Sequence, residues 1–138
     1  MKLGLVTVLC VVLLVASGCG GTKNVPVSGS IVYKGKPVAD STVMFTPSAS
    51  GADGAKVATG RTDAQGKFTL GTEAPGDGAT PGEYTVSVTP NLPEPKDGDY
   101  SAPPPPPFPP RYTNATGSDL KATVKGDGPN DIALELKD

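Results

Sequence analysis

The chain has 138 residues, a net charge of −2, no histidine, no tryptophan and two cysteines. That length suits one domain; the missing histidine removes the commonest general base and zinc ligand, and the lack of a basic cluster argues against a nucleic-acid partner. The 18 glycines and 16 prolines fall between alternating apolar runs, the composition of a turn-rich all-β domain.

Met1-Lys2 is a short positive start, Leu3 to Val15 is almost unbroken apolar sequence, and Ala16-Ser17-Gly18 are small. The apolar run is too short to cross about 30 Å of hydrocarbon with margin, so residues 1–18 read as a cleaved export signal. Val15-Ala16-Ser17-Gly18-Cys19 resembles a bacterial lipobox, with Ala16 where leucine is commonest. The resemblance implies that the Cys19 thiol is alkylated by diacylglycerol, that cleavage falls just before it, and that the new amine is acylated, with palmitate as the labelling chain. Cys10 would leave with the signal, so the mature chain would have one cysteine and no intrachain disulfide. Several acyl chains, at about 0.8 kcal/mol per buried methylene, would anchor the protein stably to a membrane.

Residues 19–24 form a short polar tether. Gly20 stands where an aspartate would resemble an inner-membrane retention signal. Its identity favours the outer membrane of a bacterial envelope, on a periplasmic or surface face.

The domain proper is expected over 25–138. Val25 to Tyr33 reads as a first strand, with Val25, Val27, Ile31 and Tyr33 on one face. Lys34-Gly35-Lys36-Pro37 reads as a turn. Val38 to Thr46 is a second strand, with Ala39, Ser41, Val43 and Phe45 sharing a face. Lys56 to Arg61 is a short third strand at a sheet edge. In Arg61-Thr62-Asp63-Ala64-Gln65-Gly66-Lys67, Asp63 can accept from the amides that follow it, and Gly66 supplies a positive φ. Phe68 and Leu70 then alternate in a fourth strand. Glu83 to Thr89 is the cleanest strand: Tyr84, Val86 and Val88 point inward, and Thr85, Ser87 and Thr89 are expected to face water.

Residues 90–110 are rich in proline, with five in a row at 103–107. Proline lacks an amide hydrogen and fixes φ, so this stretch is expected to be neither ladder strand nor helix but a polyproline II loop. It reads as a stiff spacer; the competing reading makes Tyr100, Phe108 and Tyr112 anchors for a partner. Leu120 to Val124 is a sixth strand, and Ile132, Leu134 and Leu136 alternate in a seventh after a turn at 126–130. The expected core is Val27, Ile31, Val43, Phe45, Phe68, Leu70, Tyr84, Val86, Val88, Leu120, Val124, Ile132 and Leu134. Seven short strands with regular turn cues suggest a β-sandwich.

Val27-Ser28-Gly29-Ser30-Ile31-Val32-Tyr33-Lys34-Gly35-Lys36-Pro37-Val38-Ala39, followed by Val43-Met44-Phe45, resembles the opening of carboxypeptidase-regulatory-like domains. Thr62-Asp63-Ala64-Gln65-Gly66-Lys67-Phe68 and Pro81-Gly82-Glu83-Tyr84 look like two further hallmarks. The tail from Pro110-Arg111-Tyr112-Thr113 through Leu120, Val124, Asn130 and Ile132 is similar to small lipoproteins of planctomycete-type bacteria. The resemblance implies a seven-stranded prealbumin-like (transthyretin-like) β-sandwich. It implies no activity, since such domains are usually accessory modules.

The candidate chemistry is sparse. Thr62-Asp63…Gly66, Asp97-Gly98-Asp99 and Asp127-Gly128-Pro129-Asn130-Asp131 offer too few carboxylates each for calcium, which takes six to eight oxygens, and read as turns. No metal or cofactor is expected. Lys34 with Asn130 or Asp131 could pose as an isopeptide pair, but the promoting acid is missing: its neighbourhood is Val86-Ser87-Val88. A serine nucleophile lacks a base, and Asp63 and Glu83 read as solvated rather than as a facing pair. The expectation is a non-catalytic envelope lipoprotein, held at the membrane by its lipid and acting as a structural or protein-interaction module. The alternative is a surface module binding carbohydrate or another small ligand.

Overall fold

The computed structural model describes residues 23–48, 54–94, 96–98 and 101–138. Eight strands and one 3-10 turn lie among them: β1 (Val27–Tyr33), β2 (Lys36–Pro37), β3 (Ser41–Pro47), β4 (Ala58–Arg61), β5 (Lys67–Thr69), β6 (Gly82–Pro90), the 3-10 turn (Pro110–Thr113), β7 (Lys121–Val124) and β8 (Asn130–Leu136). They form two sheets whose inner faces meet in an all-β sandwich.

The first sheet is built on β1. Its backbone alternates, so one edge of β1 takes β5 and β2 and the other takes β8. β5 pairs antiparallel at Ser28–Ser30, and β2 pairs antiparallel at Val32–Tyr33. β8 runs parallel to β1 over its whole length, from Val27 opposite Asn130 to Tyr33 opposite Leu136. The second sheet is antiparallel, in the order β4-β3-β6-β7. The sheets touch at one side through a bridge between Thr59 and Gly71.

The alternation that marked the strands is what fills the core. Val27, Ile31, Val43, Phe45, Phe68, Leu70, Tyr84, Val86, Val88, Val124 and Leu134 are all buried. Leu120 and Ile132 are partly buried and pack against them. Phe45 from the second sheet meets Phe68 from the first at 6.1 Å between ring centroids, and its own neighbour Tyr84 at 5.8 Å. Tilted aromatic pairs at such separations add about 0.5–1.5 kcal/mol beyond their buried area.

The Asp63 turn forms as its sequence requires. Asp63 Oδ1 accepts from the amides of Gln65 and Lys67, each at 2.9 Å, and Gly66 has φ +73°. β4 is an edge strand, as its length suggested.

Other expectations are corrected. The turn expected at Lys34–Pro37 is present but takes only Lys34 and Gly35, both at positive φ, the signature of a two-residue primed hairpin turn. It returns Lys36 and Pro37 into the sheet as the extra strand β2. The strand expected from Val38 starts only at Ser41, because Asp40 has φ +48° and breaks the extended run; Ala39 is therefore exposed. Thr85 and Ser87 are buried rather than wet. The 3-10 turn packs against β6, and Lys121 Nζ donates to Thr85 Oγ1 at 2.7 Å.

Between its ends the proline-rich stretch is neither strand nor helix among the described residues, as expected; the corrections fall at its two ends and at its aromatic residues. Pro90 closes β6, and Pro110 opens a 3-10 turn, where a fixed φ and a missing N–H cost nothing. Phe108 and Tyr112 are buried members of the core. They are not anchors held out for a partner. Tyr100 lies outside the described residues.

Candidate functional site

The described surface carries a polar cleft, an apolar cleft and a set of charged latches. The polar cleft encloses about 690 Å³ on the outer face of the first sheet. Ser28 and Ser30 of β1, Lys67 and Thr69 of β5, and Asp131 of β8 share this face because each sits on the outward phase of its strand. Arg61 and Asp63 close one side. Asp63 spends one carboxylate oxygen on its own turn, and the Arg61 guanidinium pairs with Asp40 at 3.0 Å. The Ser28 hydroxyl makes a long 3.5 Å contact to the Asn130 carbonyl. The cleft offers hydroxyls and single charges for hydrogen bonding.

The apolar cleft, of about 350 Å³, lies where the β1–β2 turn meets the end of the proline tract. Tyr33, Pro37, Val38, Pro107 and Phe108 line it, with Lys34 and Lys36 on the rim. Lys34 is not a loose charge: it pairs with Asp138 at 2.9 Å and stacks over the Tyr33 ring.

Latches fix the turns and the last residues onto the sandwich. Tyr112 Oη donates to the Lys137 carbonyl and accepts from the Lys137 amide, both at 3.0 Å. Arg111 lies over the Tyr112 ring and donates to Tyr112 Oη at 2.7 Å and to the Lys137 carbonyl at 2.8 Å. Tyr33 Oη bonds the Asp138 carboxylate. The Tyr33 hydroxyl, then the Lys34 ammonium, hold the Asp138 carboxyl below its ordinary range, and the same pairing raises Lys34. Burial pushes the Tyr84 hydroxyl up, opposed by its donation to the Thr80 carbonyl at 2.6 Å.

Asp77 works as a loop organiser. It accepts from the amides of Thr72, Glu73 and Ala74 and from the Asn24 side chain. The Thr72 amide contributes most to depressing its pKa below the ordinary 3.8. A carboxyl depressed in the folded state stabilises it fully above the unfolded value and loses that contribution as pH falls through the folded one. The urea midpoint is therefore expected to drop as pH is lowered below about 4. Asp77→Asn should flatten that drop, leaving the part due to Asp138; an unchanged slope would refute the assignment. Asn24, placed in the tether by sequence, is thus already bonded into the domain, and its Oδ1 also accepts from Thr80.

Cys19, the residue expected to carry lipid, lies outside the described residues, as does the apolar run at 3–15. No helix among the described residues is long and apolar enough to cross a membrane. Asp97-Gly98 is exposed, and Asp99 lies outside the described residues. In the 126–130 turn, Asn130 accepts from the Lys125 amide and donates to the carbonyls of Lys125 and Gly128. That is turn chemistry in place of metal ligation. No group of three metal-ligating side chains occurs among the described residues. Lys34 follows the last residue of β1, whereas Asn130 and Asp131 lie opposite Val27 and Ser28 at its start, about 20 Å away at the rise of a strand, so neither can form the isopeptide pair with it.

What sequence reasoning missed is the latch. Its signal was composition: with seven aromatic residues in 138, a Phe and a Tyr four residues apart are too much apolar area to leave in a loop. No family model, curated protein or solved structure matches this chain.

Proposed function

We propose that this protein is a lipid-anchored lipoprotein of a bacterial envelope. In this reading its sandwich, of the prealbumin-like type found in carboxypeptidase-regulatory-like domains, serves as a non-catalytic structural or protein-interaction module. The observation that carries the reading is Val15-Ala16-Ser17-Gly18-Cys19 at the end of an apolar run, only five residues before Asn24 joins the fold. So short a tether would hold the start of β1 close to the lipid surface. The all-β body supports the module reading. So does the spending of Asp63, Asp77, Asn130 and Tyr112 on the chain's own backbone, which leaves their side chains with structural duties.

The test is metabolic labelling with radioactive palmitate. The natural chain is expected to take up label and Cys19→Ser to lose all of it, while also failing to partition with membranes. Label retained by Cys19→Ser would overturn the anchor.

A further inference from the structure

Among the described residues, two strands of this sandwich have an unpaired edge, and both edges lie on the same side of the molecule. β7 ends the second sheet, and β8 flanks β1 in the first. The short turn between them holds Lys125 against Asn130, so the two edges begin level. The backbone groups they expose follow from the bonds they make inward. The Asn130 amide donates to the Pro26 carbonyl at 2.9 Å, which turns the even residues of β8 toward β1 and leaves Asp131, Ala133 and Glu135 facing out. The Leu120 carbonyl accepts from the Val86 amide at 2.9 Å, so by the same alternation Lys121 and Thr123 of β7 face out.

The exposed side chains on these edges carry opposite charge at one spacing. Asp131 and Glu135 sit four apart on β8, and Lys121 and Lys125 sit four apart on β7 and its continuation; all four residues are exposed. Among the described residues the carboxylates of Asp131 and Glu135 and the ammonium of Lys125 have no partner, and Lys121 reaches only the Thr85 hydroxyl.

We propose that a second copy of this chain covers these edges: β7 of one copy pairs antiparallel with β8 of the other, and reciprocally, about a two-fold axis along the strands. Setting Thr123 opposite Ala133 satisfies every requirement at once. Lys121 meets Glu135, and Lys125 meets Asp131. The outward amides and carbonyls of the pairs 123/133 and 121/135 face each other. Ala122 and Val124 stay on the inner side, beside Leu134 and Ile132. Like-with-like pairing fails on charge: β8 against β8 about Ala133 sets Asp131 opposite Glu135, and β7 against β7 about Thr123 sets Lys121 opposite Lys125, both destabilising. The mixed pairing also keeps both copies pointing the same way. Resting on the proposed lipid anchor, that puts both anchors into one membrane, whereas β8 against β8 would set them at opposite poles.

The test uses the full chain purified in detergent. Its protein mass by light scattering is expected to be that of a dimer at about 100 µM. Lys121→Glu with Lys125→Glu should weaken dimerisation at least about ten-fold. Adding Asp131→Lys with Glu135→Lys should restore it, which a folding defect could not do. Thr123→Cys and Ala133→Cys should each fail to form a disulfide dimer alone and form one when mixed. A monomeric natural chain, self-linking of Ala133→Cys, or indifference to the charge reversals would overturn the proposal. A disulfide dimer of the unsubstituted chain through Cys19 would sink the anchor alone, leaving the pairing to be decided by the two edge variants.

Discussion

Gly29→Ala is expected to cost the sandwich about 3 kcal/mol or more, seen as a lower urea midpoint at unchanged slope. A Cβ built on Gly29 would lie 2.1 Å from the Ile132 carbonyl oxygen and 2.7 Å from Phe68 Cζ. The first contact is backbone, so it is relieved only by moving β8 away from β1. The second is a core ring wedged against Phe45. Glycine is therefore required there by the closeness of two neighbours. The contrast is Gly35→Ala, in the β1–β2 turn: its φ is +76°, but nothing lies within 4 Å of the new methyl. It should cost only the left-handed backbone penalty, about 1–2 kcal/mol. Equal losses from the two substitutions would mean that the parallel β1–β8 contact is looser than described. A domain of this size has roughly 5–15 kcal/mol in total, so Gly29→Ala takes a large share and Gly35→Ala a small one.

The second large effect is at Tyr112. Its ring is buried, and its hydroxyl holds both the amide and the carbonyl of Lys137. Tyr112→Ala should cost about 3–5 kcal/mol through lost burial and the cavity left behind, and should release the segment after β8. Tyr112→Phe separates the two contributions. The ring stays, and the Lys137 carbonyl keeps Arg111 as a donor, but the Lys137 amide loses its acceptor, at about 1–3 kcal/mol. Hydrogen exchange at that amide should speed up in the Phe variant while the core strands remain protected. If Phe proved as damaging as Ala, the packing account would be wrong; if it changed neither stability nor exchange, the latch would be.

The two variants probe different levels of the chain. Gly29 sits in a strand that local sequence made plain, yet its necessity came from β8, a hundred residues further on. Tyr112 sits beside a proline tract that looked like solvent-exposed loop, and was found inside. Features with a local cause are legible in the sequence. Tyr84, Val86 and Val88 alternate because successive strand side chains point to opposite faces. Asp63 bonds the next two accessible amides because its short side chain reaches no further. The Thr85 and Ser87 face was misjudged because alternation separates two faces without saying what covers the outer one.

Local sequence alone makes the described body legible as all-β, together with the Asp63 turn and most of the core from Val27 to Leu134. Those features rest on contacts a few residues apart. The parallel return of β8 beside β1, the completion of the core by Phe108 and Tyr112, and the placing of the charged edges of β7 and β8 on one side of the molecule emerge only in the folded chain. Each of these joins residues distant in the chain, and their pairing is chosen by the sum of buried area and matched hydrogen bonds across the whole sandwich, which no local window contains.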